Sequence, residues 1–365
     1  MRTPHEQLGN GNPLATEGGM NQGSDADSSP YAHAYPGTDA YPSTDADAYP
    51  GTAPIPAPRT GTEADDGAEP IDNGAGIDMM SVPAPAHGLA PDDIDSGLVP
   101  VENGELFYES AGTGPAVVLL HGGMLDQRMW DEQFGWLVRS GLRVVRYDAR
   151  GHGLSSSVDG DYANHEDLRT LLDHLGIPRA TLVGLSHGAR VALDMVLAHP
   201  ARVTALALAA PGVSGRTFTD PFILEHIKEQ VAAIGEEDGA ARFVEHFLRM
   251  WVDGPHRQPS MVDPELRERM RASAEANVMA HADGMGAGLP IEVGAAARLS
   301  EIRVPTLVLD GDLDSTDISA NAHAIAVSVP GAHRVRVPGA GHMVNLENTA
   351  CFDEALHGFL SSVPH

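Results

Sequence analysis

The pentapeptide Gly184-Leu-Ser-His-Gly188 constrains this chain more than any other stretch of its sequence. An apolar run at 181–185 leads into it and a helical pattern follows, which places Ser186 in a very tight strand-to-helix turn. Such a turn crowds its flanking positions, and glycine at 184 and 188 relieves the crowding because it has no Cβ. It also holds the serine hydroxyl clear of the backbone, beside the partial positive charge of a helix N-terminus. The pentapeptide predicts a serine nucleophile if the rest of the chain supplies a base and its partners.

Strands alternate with helices on both sides of this turn. Unbroken apolar runs are typical of strands buried on both faces, and Asn103-Gly104 indicates a hairpin turn near the start. The predicted strands are 98–102, 104–110, 116–120, 142–148, 181–185, 202–209, 304–310 and 333–337. The predicted helices between and after them are 128–140, 165–175, 187–198, 318–329 and 345–360. This alternation predicts an α/β fold with a doubly wound, mostly parallel sheet.

The alternation is interrupted from 213 to 300, where the pattern is helical. We therefore predict a core formed by 98–212 and 301–365, with 213–300 inserted late in the sheet as a helical cap over the strand ends. The cap should supply the apolar walls of a substrate pocket, although any one of its large side chains is better explained as core. The candidates are Phe218, Phe222, Met250, Trp251, Met279 and Met285.

Residues 1–97 differ from the rest in composition. They are rich in Gly, Pro, Ala and Asp, and residues 1–100 contain 16 acidic and 2 basic side chains. Low hydrophobicity with high net charge leaves too little apolar burial to offset the entropy of ordering, so we predict a disordered acidic tail. The tail repeats Ala-Tyr-Pro-(Gly/Ser)-Thr at 34–38, 40–44 and 48–52, units far too short for a solenoid. An inert tail is the simpler interpretation, and protein docking through the repeats is the alternative.

Composition excludes several functional classes. The formal net charge of −28 argues against a nucleic-acid partner, and the single cysteine, Cys351, excludes an internal disulfide framework. Neither a signal peptide nor an apolar run long enough for a membrane span is recognisable, so we expect a cytoplasmic protein with no membrane partner. The oligomeric state is left open.

Three loops at predicted carboxyl ends of strands can complete the site, because ligands of open α/β sheets bind there. The first is Leu120-His-Gly-Gly-Met124. Its glycines free backbone N–H groups for a bound carbonyl oxygen. We predict that the N–H of Gly123, in preference to that of Met124, forms an oxyanion hole with the N–H of His187. We expect the His187 side chain to line the pocket.

The other two loops offer a carboxylate and a base. Asp310-Gly-Asp-Leu-Asp314 follows a strand, and its acid spacing does not make a calcium loop because Ser315 stands where glycine is needed. Asp310, Asp312 and Asp317 are expected to be solvated or to cap helices. His342 follows the last strand in a glycine-rich turn, which gives the chain order serine, aspartate, histidine.

These motifs together resemble the α/β-hydrolase fold superfamily, specifically its hydrolases with a helical cap. The motifs lie in that family's order from about Val99 onward: Leu119-Leu-His-Gly-Gly123, Asp148-Ala-Arg-Gly-His-Gly-Leu-Ser155, Gly184-Leu-Ser-His-Gly188, Leu309-Asp-Gly-Asp-Leu-Asp314 and Gly339-Ala-Gly-His342. The resemblance implies that Asp314, the fourth residue of a G-x-x-D turn, is the acid and that His342 is the base. It implies a mainly structural role for 148–154. It also argues against epoxide opening and halide displacement, because relatives with those activities carry an aspartate nucleophile where this chain has Ser186.

The preferred prediction is therefore a serine hydrolase that cleaves a small apolar ester, thioester or lactone through an acyl-enzyme, with Ser186, Asp314 and His342 as catalytic residues and no cofactor or metal. Hydrolysis of a C–C bond, or cofactor-free peroxyacid chemistry, could use the same three residues. A ligand-binding protein without turnover is the alternative from another class.

Overall fold

The computed structural model of the chain describes residues 88–90 and 93–363. Their central feature is an eight-stranded sheet whose strands are β1 (Asp95–Val101), β2 (Gly104–Ala111), β3 (Ala116–Leu120), β4 (Arg143–Tyr147), β5 (Ala180–Leu185), β6 (Val203–Ala209), β7 (Thr306–Gly311) and β8 (His333–Val337). Their order in the sheet is β1-β2-β4-β3-β5-β6-β7-β8. The hairpin β1–β2 joins β4 antiparallel, and every pair from β4 to β8 is parallel.

Helices cover both faces of this sheet and connect its strands. They are α1 (Asp131–Arg139), α2 (Asn164–His174), α3 (His187–Ala198), α4 (Pro221–Ala233), α5 (Gly239–Leu248), α6 (Pro264–His281), α7 (Thr316–Ser328), α8 (Val344–Glu347) and α9 (Thr349–Ser362). One buried cluster contains Phe134 of α1 and Phe352 of α9. A second contains Leu168 of α2 and Leu193 of α3. A sheet with an apolar cluster on each face confirms the doubly wound α/β prediction.

Outside the insertion between β6 and β7, the observed boundaries differ from the predicted ones by more than two residues at three places. The first strand begins at Asp95, inside the predicted tail, because polar residues can occupy an edge strand and Asp95 pairs with Ser110. The predicted helix 128–140 opens as a 3₁₀ turn, Gln127–Trp130. The predicted helix 345–360 breaks at Asn348, whose side chain instead caps α9 by accepting from the Cys351 N–H. Residues 1–87 of the predicted tail, which include the Tyr-Pro repeats, lie outside the described residues.

The insertion between β6 and β7 is helical only in part. Helices α4, α5 and α6 lie between Pro221 and His281, with a π-helical segment, Arg249–Asp253, after α5. From 282 to 302 the chain forms turns and short 3₁₀ segments, so the prediction of a helical pattern up to 300 is wrong there. This segment contains four glycines and one proline between 284 and 294, which disfavour a helix. None of the described helices is long and apolar enough to cross a membrane.

Candidate active site

Ser186 lies in a strained turn between β5 and α3. Its backbone has φ 54° and ψ −106°, in a region that non-glycine residues rarely occupy and that costs about 1–3 kcal/mol. Two backbone hydrogen bonds hold the turn from outside it. The Ser186 N–H donates to the Ala209 carbonyl at 2.9 Å, and the Gly212 N–H donates to the Ser186 carbonyl at 3.1 Å. The end of β6 thus maintains the strain that exposes the serine side chain.

The two glycines of the pentapeptide are required by close backbone contacts. A Cβ on Gly184 would lie 2.4 Å from the carbonyl carbon of Gly188. A Cβ on Gly188 would lie 2.1 Å from the carbonyl oxygen of Leu120. Neither distance is compatible with a real carbon atom, and backbone atoms cannot rotate away as a flexible side chain does. The predicted crowding at both positions is confirmed.

Asp314 and His342 meet behind the same turn. His342 Nδ1 lies 2.8 Å from Asp314 Oδ2, and both side chains are almost fully buried, with 3% and 1% exposure. A carboxylate oxygen accepts, so Nδ1 donates and Nε2 keeps its lone pair. The Trp251 ring packs on His342 with centroids 4.6 Å apart. The imidazole is therefore fixed in one orientation and one tautomer, and it lines the cavity that Ser186 also lines.

The neighbouring carboxylates of this loop have structural partners. Asp310 is fully buried and forms an ion pair with Arg334 at 2.5 Å, so the expectation that it is solvated is wrong. Asp312 accepts from the Gly339 N–H at 2.7 Å. Among the described residues, no group of three or more His, Cys, Asp or Glu side chains is arranged to hold a metal ion.

The predicted helix cap after this loop is also corrected. The cap of α7 is Ser315, whose hydroxyl accepts from the Ile318 N–H, and not Asp317. The Asp317 carboxylate instead accepts from the backbone N–H groups of Thr219 and Asp220 at 2.9 and 2.8 Å. This side chain therefore ties the start of the cap to the core.

The glycine loop after β3 lies against the start of α3. An ideal Cβ on Gly123 would lie 3.8 Å from the His187 Cβ, so the two backbones are adjacent. The His121 ring fixes the loop, because Nδ1 donates to the Gly122 carbonyl at 2.8 Å and Nε2 accepts from the Ala149 N–H at 2.9 Å. The structure thus brings both predicted oxyanion donors to the edge of the cavity beside Ser186.

His187 lines this cavity with an uncharged ring. Burial, reinforced by the nearby His121 and Arg190, lowers the pKa of His187 to about 3. The side chain is therefore neutral at physiological pH. The prediction that it lines the pocket is confirmed.

The cavity has a volume of about 260 Å³. Of the six cap side chains considered for its wall, Phe218, Trp251 and Met285 line it. Met250 is buried in the core instead, Phe222 packs beside His226, and Met279 is 76% exposed. Sequence reasoning missed Phe243 and Phe247 of α5, which complete the apolar wall. Their spacing of four residues on one helix face would have indicated that they act together.

An ion pair at the polar end of the cavity was also missed. Arg190 lies four residues after Ser186 on α3, and its guanidinium donates to both carboxylate oxygens of Glu292, with Nη2–Oε2 at 2.6 Å. Its position four residues after Ser186 places Arg190 on the same face of α3 as the nucleophile, and this spacing could have been read from the sequence. Glu292 is 102 residues farther along the chain, and nothing in the pattern links the two.

Comparisons with known proteins find hydrolases among the relatives of this chain. The 2-hydroxy-6-oxo-6-phenylhexa-2,4-dienoate hydrolase of Burkholderia cepacia is 26% identical over 272 residues, which cover 72% of this chain and 93% of the relative.

Among solved structures, a hydrolase from Pseudomonas aeruginosa PA01 is 31% identical, with a TM-score of 0.61 and coverage of 73% of this chain and 99% of that one. The enol-lactonase from Burkholderia xenovorans LB400 is 25% identical, with a TM-score of 0.60 and coverage of 73% and 100%. Residues 117–354, which include every candidate site residue, match the family model described as the alpha/beta hydrolase family. The chain therefore belongs to the alpha/beta hydrolase family.

Proposed function

We propose that this protein is a serine hydrolase that cleaves a small, neutral ester or lactone, or a thioester, through an acyl-enzyme. The observation that supports it most is the buried His342–Asp314 hydrogen bond of 2.8 Å, on a cavity shared with the strained Ser186. A nucleophile, a base in a fixed tautomer and an acid that orients this base are the parts that acyl transfer needs.

The proposed reaction has two halves, acylation of Ser186 and hydrolysis of the acyl-enzyme, and the same groups act in both. Ser186 Oγ attacks the carbonyl carbon while His342 Nε2 takes its proton, and Asp314 stabilises the imidazolium that forms. The N–H groups of Gly123 and His187 hold the oxyanion. The imidazolium protonates the departing alcohol, thiol or ring oxygen. Water then gives a proton to His342 and attacks the acyl group, which releases the acid and restores Ser186.

The charges of the cavity wall favour a neutral substrate. Both arginines that line the cavity are already paired, Arg190 with Glu292 and Arg150 with Asp167 at 2.9 Å. A carboxylate substrate would have to displace one of these partners and leave it uncompensated. This supports the ester or lactone over the C–C bond hydrolysis of a dienoate, the substrate class in the name of the Burkholderia cepacia relative.

The test is a panel of p-nitrophenyl esters of increasing acyl length together with small lactones, measured with the wild type and Ser186→Ala. We expect turnover that the substitution lowers by at least ~10³-fold. Short acyl chains should be preferred, because the cavity volume is about 260 Å³. Equal rates in both proteins would exclude Ser186 as the nucleophile. If no ester or lactone is turned over, the alternatives are chemistry on other carbonyl compounds or ligand binding without turnover.

A further inference from the structure

Four polar side chains of the cavity wall are already hydrogen-bonded within the protein. Asn277 Oδ1 accepts from the Gly153 N–H at 2.8 Å. Both ring nitrogens of His281 are used, Nδ1 with the Ser157 hydroxyl at 2.9 Å and Nε2 with the Gly153 carbonyl at 3.1 Å. The two arginines are paired with carboxylates, as described above. The polar atoms named here are therefore occupied within the protein.

His152 combines one ring nitrogen that is hydrogen-bonded within the protein with one that no described residue occupies. Nδ1 lies 3.0 Å from the carbonyl oxygen of Arg150, and a carbonyl only accepts, so Nδ1 carries the hydrogen. No residue in the part of the chain that the structure describes bonds to Nε2, and the side chain lines the cavity. Burial, reinforced by the adjacent His121 and His187, lowers the pKa of His152 well below its ordinary value. Nε2 therefore remains a bare acceptor at neutral pH.

Two neighbouring rings fix the orientation of this acceptor. The His121 ring lies 5.0 Å from the His152 ring, at 55°, and His121 is itself fixed by the two hydrogen bonds of the glycine loop. On the other side the His187 ring stacks at 5.9 Å and 19°. His187 directly follows Ser186, and His152 and Ser186 line the same cavity. The ring contacts and the Nδ1 hydrogen bond give the acceptor a defined direction, which is what makes a hydrogen bond selective.

We propose that His152 is a specificity-determining residue whose Nε2 accepts a hydrogen bond from an N–H or O–H group of the substrate. The substrate class is then a neutral ester or lactone with a hydrogen-bond donor close to the reacting carbonyl. This inference rests on the proposed function, since it names the substrate of that same site. It gives the 148–154 loop a part in substrate recognition, in addition to the structural role that the family resemblance implied.

The test uses two esters that differ in one group. p-Nitrophenyl N-acetylglycinate contains an N–H where p-nitrophenyl levulinate contains a CH₂. The measured quantity is the ratio of kcat/KM for the first ester to that for the second, compared between wild type and His152→Phe, so that the intrinsic reactivities of the esters cancel. We expect the ratio to fall by about 3- to 10-fold in the variant, the worth of one neutral hydrogen bond, and mainly through KM.

Two further variants separate recognition from a general disturbance of the wall. His152→Gln restores an acceptor oxygen and should recover part of the ratio. His281→Gln replaces another imidazole of the wall, one whose nitrogens are both occupied, and should leave the ratio at the wild-type value whatever it does to the absolute rates. If His152→Phe does not fold, His152→Leu gives the same readout.

Each outcome has one meaning. If the wild type hydrolyses both esters in a Ser186-dependent manner and the ratio is the same in His152→Phe, the role of His152 is refuted and the proposed function stands. A fall of the ratio in His281→Gln equal to that in His152→Phe also refutes it. If the wild type turns over neither ester faster than Ser186→Ala, the proposed function itself fails.

Discussion

Two regions surround the cavity: the edge of the sheet formed by the carboxyl ends of its parallel strands, called the edge below, and the insertion between β6 and β7, called the cap. Different interactions hold each region together. At the edge, loops from four strands meet through their backbones, and glycines make the contacts feasible: a Cβ on Gly311 would lie 2.2 Å from the Ala340 carbonyl oxygen. In the cap, long side chains make the connections. Asp253, which is fully buried, pairs with Arg249 at 2.7 Å and with Arg267 at 2.9 Å.

This difference indicates how the two regions respond to change. A backbone contact cannot accommodate an added atom, so the edge should tolerate almost no substitution, and the reacting groups keep one geometry. Side-chain ion pairs depend on charge and less on shape. The cap can therefore vary its wall, and with it the substrate, while the edge conserves the chemistry.

The largest expected effect is a loss of kcat on substitution of Asp314, at the edge. Asp314→Asn should lower kcat for a p-nitrophenyl ester by about 10⁴-fold, because an amide no longer holds His342 in the tautomer with a free Nε2. The matched control is Asp312→Asn, two residues earlier, whose carboxylate bonds to the Gly339 N–H and not to the histidine. Similar losses in the two variants would contradict the assignment of Asp314 as the acid.

The sequence predicts this edge well because its constraints are local. Gly184 and Gly188 are neighbours of the serine that they accommodate, and the loops with Gly123 and His342 each follow a recognisable strand. The topology of a parallel sheet then brings the strand ends together without information about side-chain packing. The acid is the exception, because Asp312 and Asp314 share one loop. Only the resemblance distinguished them before the structure did.

The cap could not be predicted to the same depth because its constraints are not local. Phe243 and Phe247 line the cavity, while Met279 points to solvent from an equally helical stretch. Which face of each helix turns inward depends on how α4, α5 and α6 pack on one another. The pairing of Arg190 with Glu292 depends on the irregular segment after α6, which has no periodic pattern.

A second prediction measures the rigidity of the edge. Gly188→Ala should lower the free energy of unfolding by about 3 kcal/mol or more, since its Cβ would meet the Leu120 carbonyl oxygen at 2.1 Å. Gly358→Ala is the control, because that glycine lies in α9 with no atom within 4 Å of the added carbon. This control should stabilise the protein by about 0.5–1 kcal/mol in urea unfolding. If Gly188→Ala leaves the free energy of unfolding unchanged, the backbone at the edge can move to accommodate an added atom.

The third prediction concerns the charge dependence of the cap. Asp253→Asn leaves Arg249 without its carboxylate and Arg267 with only Glu245, at 2.6 Å. The expected loss is about 3 kcal/mol in the free energy of unfolding, because a buried ion pair that loses one partner leaves a charge uncompensated. Glu301→Gln removes an exposed partner of Arg298 and should cause no measurable change. Equal effects would show that burial does not distinguish the cap's ion pairs from those of the surface.

The last effect is expected where the two regions join, and it appears only when the pH changes. Asp194 of α3 is buried and accepts from the Ser214 hydroxyl at 2.5 Å, and that hydroxyl accepts from the Ala295 N–H of the segment returning from the cap. Burial, reinforced by Glu292 and opposed by Ser214 and Arg190, raises the pKa of Asp194 from 3.8 to about 6. The folded state therefore retains this proton more strongly than the unfolded chain does.

The sign of the pH dependence follows from this shift. Below about pH 4 the carboxyl is protonated in both states, and its contribution to stability is fully present. As the pH rises from about 4 through about 6, the unfolded chain ionises this carboxyl before the folded state does, and about 3 kcal/mol of the free energy of unfolding is lost. Asp194→Asn cannot ionise, so the difference between its stability and that of the wild type should increase between pH 4 and 6 and then remain constant. If the free energies of unfolding of the two proteins instead change in parallel between pH 4 and 6, the junction accommodates the charge of Asp194. It would then lack the rigidity of the edge.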